Sequence, residues 1–248
     1  MKKILSILLC AALVFGLTAC GNSTSIGESE TSNSTAETPA PTETPTASEE
    51  QQVSASAPEQ ESSTDTLVVY FSMPETTEPD GMTEEEENST VVINGEVLGN
   101  TQYVAYIIQE NTGADIFRIE PETSYPTDHD TLVDLAAEEQ DNDARPALKA
   151  TINNLDQYDT IFIGYPNWWG DMPMILYSFF DEHDFSGKTI IPFNTHGGSG
   201  FSNTISTIAE LEPEASVNED GFTVSRNDVQ ESEQDIVNWL SESGFTSR

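Results

Sequence analysis

Positive charge is scarce in this chain. Eight lysines and arginines stand against 44 aspartates and glutamates in 248 residues, a formal net charge of −36. A surface of that sign repels phosphate backbones and anionic headgroups, which excludes nucleic acid and electrostatic docking on lipid. No basic residue lies between Lys3 and Arg118, so an anion bound in that stretch must be held by N–H and hydroxyl donors. Cysteine is equally sparse, with only Cys10 and Cys20, which removes a disulfide framework and a cysteine metal site. The apolar run from Ile4 to Gly16 is too short to span a bilayer stably. Nucleotide and hydrolase signatures are missing as well: there is no Walker lysine and no Gly-x-Gly-x-x-Gly after the first strand. Gly197-x-Ser199-x-Phe201 lacks the closing glycine of a nucleophile elbow. Asp128-His129-Asp130 has metal-ligand residue types but stands isolated in sequence, and no metal site is expected there. There are no internal repeats.

What is present begins with an address. Lys2 and Lys3 precede the apolar run, and Leu17-Thr18-Ala19-Cys20 then resembles a lipobox. That resemblance implies a signal peptide over residues 1–19, cleavage before Cys20, and lipidation of Cys20. The protein is then expected on the extracytoplasmic face of the cell membrane, held by a lipid anchor only. Residues 20–65 contain no aromatic, lysine or arginine and are rich in Ser, Thr, Glu and Pro. Such a segment buries too little apolar surface to offset its ordering entropy, so it reads as a disordered linker. A flexible chain of that length spans roughly 40 Å. Residues 66–248 are long enough for one domain with a full core. From Asp65 on there are 36 acidic residues and 6 basic ones.

Within the domain, Leu67–Ser72, Asp115–Ile119, Thr160–Ile163 and Thr189–Phe193 have the β-branched, apolar character of buried strands. Ala215–Val217 and Phe222–Val224 read as an interrupted fifth. Asn94-Gly95 between Thr90–Ile93 and Glu96–Leu98 signals a hairpin. Helices are expected from a cap at Asn100 or Thr101, over Thr131–Gln140, near Ala147–Asn154, after Pro173, over Phe201–Leu211 and over Asp228–Ser241. The run Glu84–Glu87 reads as solvated loop. Strands alternating with helices predict an α/β, doubly wound parallel sheet, whose ligands bind at the carboxyl ends of the strands.

The most informative stretch lies at such an end: Gly164-Tyr165-Pro166-Asn167-Trp168-Trp169-Gly170-Asp171-Met172-Pro173. Two adjacent tryptophans on a turn bounded by proline and glycine need a planar ligand or a core to fold into. Tyr-Pro-x-Trp-Trp-Gly-x-x-Pro resembles the flavin-contacting loop of the flavodoxin-like family, and in particular its bacterial lipoprotein branch. Tyr70-Phe71-Ser72 and Thr195-His196-Gly197-Gly198-Ser199-Gly200 agree with it. The resemblance runs from Thr66 to the C-terminus. It implies a five-stranded sheet of order 2-1-3-4-5 with helices on both faces, here with a hairpin inserted after strand one, and FMN as cofactor. By the same resemblance Ser72, Asn100 and Thr101 hold the phosphate through neutral donors, with Gly99 allowing close approach. Pro166, Asn167, Trp168, Trp169 and Gly170 flank the flavin on one side, and Thr195, His196, Gly197, Gly198 and Gly200 on the other. His196 is a donor to flavin or substrate, or a solvated loop residue. The chain departs from the family where about 25 residues split the phosphate loop and Met73-Pro74-Glu75 follows Ser72.

The function implied is FMN-dependent electron transfer with a redox protein partner that carries a basic docking face. No group is assigned a catalytic role. The alternatives are an FMN-dependent NAD(P)H:quinone-type reductase and a flavin-free binding module on the same fold. The electrostatic argument for a carrier is that no lysine or arginine lies beside the flavin loops to receive a nicotinamide nucleotide.

Overall fold

The computed structural model describes residues 64–246. The expected signal peptide, Cys20 and nearly all of the expected linker lie outside the described residues.

Strand β1 (Thr66–Tyr70) is central, with Leu67, Val68, Val69 and Tyr70 all buried. A strand covered on both faces has to read as a continuous apolar run, and this one does. It pairs in parallel with β4 (Asp115–Arg118) on one side and β5 (Thr160–Pro166) on the other. β5 in turn pairs with β6 (Thr189–His196), again in parallel. The outer edge of β6 is shared by two short strands, β7 (Ser216–Val217) at its start and β8 (Phe222–Ser225) at its end. The gap between them falls opposite Ile191 and Pro192. Proline has no N–H for a ladder, and Gly221 there crosses so close to the Pro192 carbonyl that a Cβ would collide with it.

Side chains alternate across the sheet. Leu67, Val69, Phe71, Ile161 and Ile163 pack with Leu132 of α3 (His129–Asp141), Ile175 and Phe179 of α4 (Met174–Glu182), and Ile208 of α5 (Thr204–Leu211). Val68, Tyr70, Phe162 and Phe193 pack with Val104 and Ile108 of α2 (Asn100–Thr112) and with Ile236 and Leu240 of α6 (Glu233–Glu242). Among the described residues no helix is long and apolar enough to cross a membrane.

Between β1 and α2 the chain makes a short helix and a hairpin. Helix α1 (Glu84–Ser89) replaces the solvated loop expected over Glu84–Glu87. Its cause is a capping box: the Glu86 N–H donates to Thr83 Oγ1 (3.3 Å) and the Thr83 N–H to Glu86 Oε2 (2.7 Å). β2 (Thr90–Ile93) and β3 (Glu96–Gly99) are antiparallel, and Asn94 and Gly95 both take positive φ, 53° and 84°, as a two-residue hairpin turn requires. The helix expected near Ala147–Asn154 is absent. That backbone instead pairs with residues 120–122, through the Glu122 N–H to Ala147 O and the Lys149 N–H to Glu120 O. A single turn of 3₁₀-helix follows at Leu155–Gln157.

Candidate functional site

Three segments meet at the carboxyl edge of the sheet. The first joins β1 to α2. Ser72, buried just past β1, receives the Arg118 guanidinium on its carbonyl (3.2 Å). Gly99 lies against the Ser72 side chain, where any Cβ would overlap Ser72 Oγ. It is also the N-cap of α2, and its N–H donates to Gln102 Oε1 (3.3 Å). Neither Asn100 nor Thr101 is therefore the cap; both lie in the first turn. Thr101, 1 % exposed, shares a hydrogen bond of 2.8 Å with Thr195 of β6. Asn100 uses its Nδ2 to donate to Asn88 O (2.8 Å), while its Oδ1 is buried with no partner. The backbone N–H of Asn100 belongs to the first turn of α2, where N–H donors for a phosphate are expected. The first-turn N–H groups of α2 add the positive end of a thirteen-residue helix.

The second segment is the tryptophan turn after β5. Trp168 and Asp171 exchange both backbone hydrogen bonds (2.9 and 3.0 Å), and Trp169 and Gly170 between them take φ of 53° and 81°. The turn sends the two indoles to different places. Trp168 is half-buried, edge-on to Phe71 (5.5 Å between centroids) and Tyr125 (5.8 Å). Trp169 is 60 % exposed and donates from Nε1 to Val133 O in α3 (3.2 Å).

The third segment follows β6, and Asn167 ties it to the second. The Asn167 backbone N–H donates to Thr195 O (2.8 Å), and its Oδ1 accepts from the Gly170 N–H (3.1 Å). Its Nδ2 donates to Gly200 O (3.0 Å) and Ser202 Oγ (3.1 Å). His196 accepts the Gly198 N–H at Nδ1 (2.8 Å), which leaves Nε2 to carry the proton of the neutral ring. Burial pushes its pKa below the ordinary histidine value, against the pull of Asp228.

Together these segments enclose a cavity of about 330 Å³. Ser72, Asn100 and Thr101 line it from the first segment, Pro166, Asn167, Trp168 and Trp169 from the second, and Thr195, His196 and Gly197 from the third. Gly99, Gly170, Gly198 and Gly200 are not in the lining.

Several lining residues were not anticipated. Leu132, Val133 and Ala136 of α3 supply an apolar wall. Glu75 enters from the insertion, bonded through its carboxylate to His129 Nδ1 (3.0 Å) and through its N–H to Ser89 Oγ (3.0 Å). In Asp128-His129-Asp130, where no metal site was expected, Asp128 caps α3 by accepting the Thr131 N–H (3.1 Å). Arg226 corrects the view that no basic residue stands beside these loops. Its N–H donates to His196 O (2.8 Å), and its guanidinium lies beside Gly197 in the cavity wall. No local motif marks Arg226; the pairing of β8 with β6 brings it there.

A parallel sheet covered on both faces, with a cavity at its carboxyl edge, defines the class: an α/β ligand-binding domain. The chain belongs to the flavodoxin family, and residues 90–243 match the family model described as Flavodoxin. Among solved structures it is similar to a candidate flavoprotein of Bacteroides eggerthii, with 28 % identity and a TM-score of 0.55 over 71 % of this chain and 96 % of that one. It is similar also to a candidate flavoprotein of Bacteroides uniformis, with 28 % identity and a TM-score of 0.51 over 68 % and 97 %. A flavoprotein of Lactobacillus acidophilus in complex with FMN is more distant, at 20 % identity and a TM-score of 0.48 over 67 % and 96 %. No curated protein matches the sequence.

Proposed function

We propose that the cavity binds FMN and that the protein carries electrons at the extracytoplasmic face of the membrane, anchored through a lipid on Cys20. The observation that carries the FMN reading is the make-up of one wall. The first turn of α2 and the buried Thr101–Thr195 hydroxyl pair line the same cavity as the indoles of the tryptophan turn. A helix N-terminus and hydroxyl donors suit a phosphate. Indole faces and the apolar side of α3 suit a planar ring. FMN joins an anionic phosphate and a planar ring in one molecule, and when bound it supplies the redox centre.

The chain's own residues then have separate tasks. Thr101, Thr195 and Ser72 bind the anionic end together with the first-turn N–H groups of α2, to which Asn100 belongs. Trp168, Trp169 and Leu132 exclude water. His196, neutral at physiological pH, offers a proton at Nε2 for hydrogen bonding, and Gly197 leaves backbone within reach of the ligand.

The test is to measure the absorbance of the purified protein and the mass of what it releases on denaturation, then to titrate the stripped protein with FMN and riboflavin. FMN should bind far more tightly than riboflavin. Thr101→Ala should weaken FMN binding by about ten- to a hundred-fold, the value of one hydrogen bond to a charged group, and shrink that preference. Equal affinities for the two flavins would reject the phosphate site. The anchor has its own check: Cys20→Ser should move the protein out of the membrane fraction or leave it unprocessed. Normal processing with unchanged partitioning would remove lipidation from the proposal.

A further inference from the structure

In a chain with 44 acidic residues, a cation whose side chain finds no partner at all calls for an explanation. Arg145 is paired with Asp143 and Asp181, and Lys149 with Glu120. Arg118 donates to Ser72 O, and Lys188 to Tyr158 O. The side chain of Arg226 has neither an ion pair nor a hydrogen bond among the described residues. It lies instead in the cavity wall, where a Cβ on Gly197 would sit 3.6 Å from its guanidinium carbon.

The position of Arg226 relative to α2 says what it could serve. Thr195 is bonded to Thr101 in the first turn of α2, and Gly197, two residues further along the same chain, lies against Arg226. The guanidinium and the helix N-terminus therefore border adjoining stretches of one wall. Carboxylates enter the same cavity from the insertion: Glu75, paired with His129, and Glu85. Among the described residues Arg226 is the one lysine or arginine in a lining that also holds these two acids.

We propose that Arg226 is the charged receptor of the phosphate group of bound FMN, a role beyond the neutral donors expected from the family; it rests on the FMN reading above. A dianion entering a chain of net charge −36 meets repulsion that neutral donors reduce only in part. A guanidinium adds charge, and its planar fork matches phosphate oxygens in pairs. The insertion that brings acids to this site explains why the chain adds a cation there. Exposure of Arg226 at the cavity rim lets it meet the phosphate without a prior burial cost.

The experiment compares the full-length protein with Arg226→Gln and Arg226→Lys, each stripped of flavin and titrated with FMN and with riboflavin at low and high salt. Thermal midpoints serve as the control for folding. Arg226→Gln should lower FMN affinity by about ten- to a hundred-fold, leave riboflavin affinity unchanged, and reduce the salt sensitivity of FMN binding. Arg226→Lys should recover part of the loss. FMN and riboflavin weakened alike would place the guanidinium at the ring or in the fold and overturn the proposal. So would unchanged FMN affinity in Arg226→Gln. A wild type that binds neither flavin would overturn the FMN reading, and this proposal with it; a wild type that binds FMN beside an unaffected Arg226→Gln overturns this proposal alone.

Discussion

A tryptophan with φ of 53° and 60 % of its surface in water gains little from its place in the fold. For a bulky residue the left-handed region costs on the order of 1–3 kcal/mol, and two-residue turns with positive φ select Asn, Asp or Gly at that position. Trp169 gains one hydrogen bond in return, from Nε1 to Val133 O. Strain kept at the rim of a cavity is what a ligand-facing residue would show. Trp168 contrasts with it, half-buried and edge-on to Phe71 and Tyr125. The prediction at this scale is that Trp169→Asn leaves the thermal midpoint unchanged or raises stability by up to about 1 kcal/mol. The same substitution should weaken FMN binding several-fold, since an aromatic contact contributes about 1 kcal/mol beyond burial. Thermal denaturation and a flavin titration on one preparation decide it. A lowered midpoint with wild-type affinity would make Trp169 a structural residue.

At the scale of elements, what the sequence made legible was whatever local chemistry determines. Leu67–Tyr70 and Ile161–Ile163 read as strands because both their faces are buried, so no polar residue interrupts the run. The tryptophan turn and the glycine-rich loop after β6 were also legible, since proline and glycine punctuate them. At helix α1 two local signals conflict, because Thr83-x-x-Glu86 is a capping signature while the four glutamates after Thr83 suit a solvated loop, and the cap prevails. The opposite error was made at Ala147–Asn154. There the backbone partner is Glu120–Glu122, some 25 residues away, and no local pattern reports it. The site divides in the same way. Glu75 and His129 are 54 residues apart in the chain and meet only because the insertion folds back on α3. Arg226 arrives through β8, which exists as a separate strand because Pro192 and Gly221 interrupt the edge of the sheet. Asn167 was singled out for its place in the motif, yet its larger effect is mechanical, holding the tryptophan turn to Gly200 and Ser202.

For the molecule as a whole the decisive quantity is charge. A net charge of −36 places any anionic reactant at a disadvantage, and NADH and NADPH are both anionic. If Arg226 is engaged by the FMN phosphate, the cavity keeps no cation to receive a second phosphate group. Acids also stand beside the cavity: α1 carries Glu84, Glu85, Glu86 and Glu87 in its first turn, and Glu85 reaches the cavity wall. A partner with a basic face would thus be steered toward the edge that holds the proposed flavin site. The prediction uses cytochrome c as a basic electron acceptor and the FMN-loaded protein reduced with dithionite. Transfer should be fast at low salt and fall steeply as ionic strength rises, because screening removes the steering. Replacing Glu84 and Glu87, which are exposed and outside the cavity lining, with Gln should slow transfer at low salt and flatten its salt dependence. FMN affinity should not change in that variant. Alongside this, NADH and NADPH with a quinone acceptor should give only slow turnover. A transfer rate indifferent to salt would remove the basic partner from the reading. Rapid, saturable oxidation of either nucleotide without an added protein would make this flavodoxin-family member a reductase, and the acidic surface would then need a different explanation.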